Sequence, residues 1–232
     1  MSKIVWDAIG EHLYETGVDH GVLYTFNSNA AAGQTPYDSG VAWNGLTSVN
    51  ENPSGADSNK QYADNIEYLN LIGLEEFGAT IEAFTYPEEF EACDGSVEVA
   101  PGVYAGQQNR QTFGFSYRTL IGNDTLGTEK GYKIHLVYGA KAAPSGKDRQ
   151  TVNENPEAVA FSWEITTTPV PLSGHKPIAH MVIDSTKVDA DKLEDFLDIL
   201  YGTDASGGST ATTPSLPLPD KVVELLTPAT HP

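Results

Sequence analysis

Three stretches of this chain alternate apolar and polar side chains almost without error: QTFGFSYRTLI (residues 111–121), YKIHLVYGAKA (132–142) and AVAFSWEITTT (158–168). The first sets Phe113, Phe115, Tyr117 and Ile121 on one face and Thr112, Gly114, Ser116 and Arg118 on the other. The second groups Tyr132, Ile134, Leu136 and Tyr138, and the third Val159, Phe161, Trp163 and Ile165. A strand sends successive side chains to opposite faces, so a period of two marks half-buried sheet and excludes helix. None of the three stretches carries a catalytic constellation. If the first two pair symmetrically about GNDTLGTEKG (122–131), Ile121 faces Tyr132, Tyr117 faces Leu136 and Phe115 faces Tyr138. Each such cross-strand pair contributes about 0.2–1 kcal/mol.

The rest of the chain is read against that sheet. GVLYTFN (21–27) is a strand with Val22, Tyr24 and Phe26 on one side, and shorter strands are expected around 41–46, 79–85 and Met181. Residues 1–20 are equally compatible with a short strand, an arm or a helix. NENPSGADSNKQ (50–61) reads as a long polar loop from its Pro, Gly, Asn, Asp and Ser density. For YADNIEYLNLIG (62–73) periodicity admits helix or strand, and strand is preferred. The best helix is DADKLEDFLDILYG: Asp189 caps it, Leu193, Phe196, Leu197 and Leu200 form one stripe, and Gly202 ends it. TDASGGSTATTPSLPLP (203–219) reads as a linker, and DKVVELL (220–226) as a terminal element that docks on its own domain or on a neighbour. The expected division is therefore a β domain over 1–202 and a linker with C-terminal arm over 203–232.

With 13 basic and 32 acidic residues the formal net charge is −19. That argues against a grip on duplex nucleic acid, which needs clustered Lys and Arg to displace counterions. No basic amphipathic stretch addresses an anionic membrane, and no apolar run reaches spanning length, so membrane insertion is not expected. The N-terminal stretch lacks the apolar centre of a signal peptide, and synthesis in the cytoplasm is expected. Cys93 is the sole cysteine and excludes an internal disulfide.

Chemistry finds little support. The carboxylates Glu88, Glu89, Glu91 and Asp94 read as a solvated acidic loop, not as paired glycosidase acids. The histidines are scattered without metal-ligand spacing, and Asn123, Asp124 and Glu129 lack the order of a calcium loop. Trp6, Trp43 and Trp163 are the candidates for sugar stacking in a carbohydrate-binding or adhesion module, the alternative function. Trp163 is assigned to the core and Trp43 is left open. No catalytic residue, cofactor or metal is predicted, and an enzyme is not expected.

Several blocks converge on one family. WNGLTSVNENPSGAD, YADNIEYLNLIGLEEFGATIEAFTYPEEFEACDG, GQQNRQTFGFSYRTLIGNDT, GYKIHLVYGAKAAPS and EAVAFSWEITTTPV together resemble the major tail protein of long-tailed, non-contractile bacteriophages, mainly of Gram-positive hosts. The resemblance spans roughly residues 40–226. It implies a mainly-β fold, an antiparallel sandwich or barrel of the tail-tube type with one flanking α-helix, extended loops and a C-terminal arm. It also implies a non-enzymatic virion protein that forms stacked hexameric rings, assembled in the host cytoplasm. Its expected partners are further copies of itself, a tape-measure protein, a tail terminator and distal tail or baseplate proteins. Phage DNA would pass transiently down an electronegative bore. The segments expected to reach neighbouring copies are 50–61, 122–131 and 203–226. Within them the candidate interface residues are Asn50, Asn52, Pro53, Asp57, Asn123, Asp124, Leu216, Leu218, Val222 and Leu225.

Overall fold

A computed structural model describes residues 3–31, 34–152, 154, 157–205 and 210–227. Parts of the expected linker (206–209) and the end of the C-terminal arm (228–232) lie outside them. The chain is mainly β. Its strands are β1 (Tyr14–Thr25), β2 (Val41–Trp43), β3 (Leu46–Glu51), β4 (Ser54–Gly55), β5 (Ser58–Ala63), β6 (Ile66–Ile72), β7 (Glu75–Glu76), β8 (Gly78–Ala83), β9 (Val97–Ala100), β10 (Val103–Ala105), β11 (Phe113–Asn123), β12 (Gly127–Ala142), β13 (Phe161–Thr167) and β14 (His180–Asp184). Two helices follow, α1 (Ala190–Tyr201) and α2 (Pro219–Leu226), where a single flanking helix is expected from sequence.

Eight strands form one antiparallel sheet in the order β2-β1-β11-β12-β13-β8-β3, with β14 also paired to β12. The terminal strands β2 and β3 are joined directly through Asn44 and Gly45, so the sheet curls back on itself. Its concave side encloses a first core that draws on nearly every strand: Leu23, Trp43, Ile81, Phe113, Phe115, Tyr117, Val137, Trp163 and Ile165. Phe90 and Cys93 plug this core from the segment after β8. Burial pushes the Cys93 thiol up to about 12, which leaves it an inert apolar filler. Trp43 belongs here too, at 2% exposure, and its ring packs edge-on against Phe115 and Trp163.

The convex side carries a second core. Val22 and Tyr24 of β1 and Ile134, Leu136 and Tyr138 of β12 meet Leu193, Phe196 and Leu200 of α1, together with Leu216 and Val222. Helix α1 forms where the sequence places it. Asp189 accepts from the N–H groups of Asp191 and Lys192, and the apolar stripe faces the sheet. The phenol of Tyr24 donates to the Leu200 carbonyl at 2.8 Å, and that of Tyr138 to the Pro217 carbonyl at 3.0 Å. Gly114 gives Leu216 its seat on the sheet, because a Cβ there would overlap the leucine side chain.

The β11–β12 register departs from the symmetric expectation by one residue. Ser116 faces Leu136, Tyr117 faces His135, Phe115 faces Val137 and Leu120 faces Tyr132. The cause is a register shift between Ile121 and Asn123. There Asn123 folds its side chain over the turn, and its Oδ1 accepts from the N–H groups of Thr125 and Leu126. A one-residue slip exchanges faces. The aromatic row of β11 therefore points into the first core while the apolar row of β12 points into the second. The loop expected over 122–131 shrinks to a tight turn at 124–126, since the strands continue through Asn123 and Gly127.

Strand β12 pairs with β14 over Lys133–Val137 and with β13 from Ala140 onward. Gly139 marks the change, with φ +60°, and accepts from the Thr168 N–H at 3.0 Å. A Cβ at this position would collide with the Thr168 carbonyl oxygen. Gly139→Ala is expected to cost about 2 kcal/mol or more, from left-handed strain plus the collision. Urea unfolding checks this, with Gly146→Ala, which meets nothing, as the neutral reference.

Candidate assembly surface

Between β3 and β8 the chain leaves the curled sheet as a two-stranded projection. β4 pairs with β7, and β5 with β6, and none of the four pairs with the main sheet. The tip is Asp64-Asn65, both with positive φ (50° and 64°), a turn that suits the twist of a hairpin. From residue 52 to the tip the extended chain reaches roughly 40 Å. The polar loop expected over 50–61 is thus corrected: Asn50 and Glu51 close the main-sheet ladder opposite Thr80 and Ala79, and 58–61 are strand. Side chains that resemble a loop instead decorate both faces of a ribbon. Ser58 bonds Asn70 at 2.6 Å, and Lys60 pairs with Glu67 at 2.8 Å.

Large apolar side chains stand in solvent along this ribbon. Leu74 is 81% exposed, Ile72 70% and Tyr62 69%, and Ile66, Tyr68, Leu69 and Leu71 are also exposed. The register puts Leu69 (opposite Gln61) and Leu71 (opposite Asn59) on one face and Ile72 (opposite Ser58) on the other. Apolar groups thus stand on both sides of a ribbon that a lone hairpin in water stabilises only marginally. A second hairpin, β9–β10, likewise exposes Val97, Val99, Val103 and Tyr104. The N-terminal segment adds exposed Ile4, Val5, Trp6, Ile9 and Leu13. Among its described residues it has no regular element before β1 and is tied to the turn after β11: Gly10 donates to Asp124 at 3.0 Å, His12 lies 3.1 Å from the same carboxylate, and Asn123 donates to the Gly10 carbonyl at 2.9 Å.

The candidate interface residues divide accordingly. Asn52, Pro53 and Asp57 are exposed at the root of the ribbon, and Asn50 is exposed at the end of its strand. Asn123 is buried in its turn, and Asp124 holds the chain's own N-terminal segment. Leu216 and Val222 lie fully inside the second core, with Leu218 and Leu225 packed against it. Of the two fates expected for the terminal element, docking on its own domain or on a neighbour, the side chains of Leu216, Leu218, Val222 and Leu225 take the first. Apolar side chains that bury against α1 and β12 are unavailable to a neighbour. The exposed apolar positions of β6 escape a search for loops and arms. Their one sequence signal is a run of Ile, Tyr and Leu directly after Asp-Asn.

The acidic candidates also change character. Asp94 is not solvated: it is buried, bonded to Lys147 at 2.6 Å and Arg110 at 3.2 Å. At the far end of the first core, His135 and His180 meet each other and Glu51, although 45 residues separate the histidines. Burial lowers both imidazoles, His180 to about 4, so both are neutral at pH 7. Trp43 and Trp163 are buried and leave only Trp6 of the three sugar-stacking candidates exposed.

No protein-family model matches the chain, and no curated protein matches it. Among solved structures, a chain of the anti-feeding prophage baseplate aligns at a TM-score of 0.35 and 6% identity, over 71% of this chain and 93% of that one. A chain of the sheath–tube complex of an extracellular contractile injection system, PVC, aligns at a TM-score of 0.30 and 11% identity, over 78% and 94%. Alignments this loose carry no argument, so function rests on the surface just described. No helix among the described residues is long and apolar enough to cross a membrane.

The Asp124 tether is pH-sensitive. The Gly10 N–H and His12 hold the carboxyl below its ordinary value. A depressed carboxyl contributes fully above its unfolded value and is lost as pH falls through the folded one. The protection factor of the Gly10 amide, its exchange rate relative to the unprotected rate at the same pH, is expected to fall on acidification below about pH 4, and in Asp124→Ala at neutral pH. Unchanged Gly10 protection in that variant would remove the tether.

Proposed function

We propose that this chain is a structural subunit that assembles with copies of itself into stacked hexameric rings, forming the tail tube of a long-tailed bacteriophage through which DNA passes. The ribbon of residues 52–77 carries the reading. Beyond its root it has apolar side chains on both faces, and its strands pair only with one another among the described residues, so covering it requires contacts from two sides. A ring lying on the next ring supplies such surroundings, because the ribbon of one subunit can lie between two others. Strands β2, β3 and β14 each have a single strand partner among the described residues. Their free edges are suited to continuing a ladder across a head-to-tail interface. The resemblance of the blocks around Trp43, Tyr62, Gly106, Gly131 and Glu157 to major tail proteins points the same way. The charge of −19 fits a bore that DNA traverses without sticking. Tape-measure, terminator and baseplate proteins are the partners this role calls for.

Negative-stain microscopy of concentrated protein tests the proposal. Tubes or six-fold rings are expected from the unaltered chain. A variant with Ile66, Leu69, Leu71 and Ile72 changed to Ser should stay folded, because these side chains lie outside both cores, yet remain monomeric at the same concentration. Monomers from the unaltered chain in every condition, or tubes from the variant, would overturn the reading.

A further inference from the structure

Glu51, His135 and His180 come from three strands and meet where β3 runs out into the projecting ribbon. Nδ1 of His135 lies 3.2 Å from Nε2 of His180 and 3.3 Å from a Glu51 carboxylate oxygen. The third edge of this triangle, His180 to Glu51, is 3.9 Å. A tetrahedral centre with bonds of about 2.0–2.2 Å separates its ligand atoms by roughly 3.3–3.6 Å. Two edges match the face of such a tetrahedron. The long one involves the exposed Glu51 side chain, which closes it by rotation.

The proton inventory supports the same conclusion. Thr119 donates its hydroxyl proton to Glu15 at 2.6 Å, so toward Nε2 of His135, 3.1 Å away, that oxygen can only accept. With its proton placed on Nε2, His135 turns the Nδ1 lone pair toward the Glu51 carboxylate and Nε2 of His180. A ligating histidine is ordinarily oriented in this way, its far N–H held by an outer hydrogen bond. The Tyr117 phenol donates to the Glu51 carboxylate at 2.6 Å and orients it in turn. The rings are clamped as well: Tyr117 stacks on His135 with centroids 4.5 Å apart, and Phe77 on His180 at 4.4 Å. Lys133 is engaged by Glu15 and is not directed into the triangle.

We infer that Glu51, His135 and His180 form a binding site for a divalent transition metal of the zinc type, with water at the fourth position on the exposed Glu51 side. Without metal, a ring proton of His180 bridges the two imidazoles. Metal takes its place, and the proton is then carried on Nδ1 of His180, so that ring ligates as the neutral imidazole. Bound metal links the end of β3 to β12 and β14 and so fixes the direction in which the ribbon leaves the barrel.

Titration of the purified full chain with Co2+, followed by displacement with Zn2+, tests this on the monomer, independently of whether tubes form. A tetrahedral Co2+ absorption band saturating at one equivalent is expected, and it should vanish in Glu51→Gln and in His180→Ala. Thr119→Val, which removes the outer hydrogen bond, should weaken binding about 10–100-fold. Should His180→Ala fail to fold by circular dichroism, Glu51→Gln, a change at an exposed side chain, decides alone. Absence of the band, or equal Co2+ affinity in Glu51→Gln and the unaltered chain, would overturn the site and leave only adventitious binding to an acidic surface.

Discussion

Strand β12 has an apolar row on each face, and both cores of the subunit are built on it. Ile134, Leu136 and Tyr138 anchor the helices, while Val137, Ala140 and Ala142 line the inside of the curled sheet. Only the offset pairing with β11 makes this possible. Had Tyr117 met Leu136, the aromatic row of β11 and the aliphatic row of β12 would have shared one face, and the other would have faced water with Val137 and Ala140. The offset originates in a single side chain, Asn123, which closes the turn and shifts the ladder behind it. The bulge at Gly139 then lets β12 change partners while its side chains stay on their cores. Tyr138 enters the second core and Ala140 the first, so the alternation survives across the bulge.

A barrel with helices fixed to its outside is a stable platform, and what it presents is unstable in isolation. A two-stranded ribbon gains little from its own hydrogen bonds in water, because the unfolded chain makes equivalent bonds to solvent. Its cross-strand pairs, such as Ser58 with Asn70 and Lys60 with Glu67, are solvated and contribute modestly. The exposed Ile, Leu and Tyr side chains are the groups whose burial would stabilise it. Each transfers roughly 1.5–3 kcal/mol on full burial. The ribbon is thus a segment whose order and whose binding are coupled, with its root fixed at Glu51 and Phe77.

Much of the subunit was legible in the sequence because burial on one face imposes a period. The strands around Phe115, Leu136, Trp163 and Ile81 and the helix capped by Asp189 all carry such a period. Register was not legible: an apolar row reads the same whichever face of the sheet it enters, and the decision rests on how one asparagine closes a turn. The ribbon was hidden for a different reason. Residues 58–61 have water on both faces and no alternation to show, so their Asn, Ser and Lys have the composition of a loop. The C-terminal residues Leu216 and Val222 showed their hydrophobicity but not their destination. The meeting of His135, His180 and Glu51 depends on topology alone. The two histidines are diagonal neighbours on one face of the β12–β14 ladder, where His135 faces Val182 and Val137 faces His180.

Charge sets the terms on which such a surface can work. Copies bearing a net charge of −19 repel one another over distances of about a Debye length, roughly 8 Å at physiological ionic strength. Apolar contact by the ribbon acts only on touching. At long range the subunits therefore stay apart, and any single ribbon contact must also offset the entropy of ordering and association. A lone pair of subunits is poorly placed to achieve this, since each ribbon has two faces and a pair covers at most one. A closed arrangement covers both faces together and adds the free edges of β2, β3 and β14 to the same balance. The acidity thus makes association depend on many contacts forming at once, which is what the proposed tube would require.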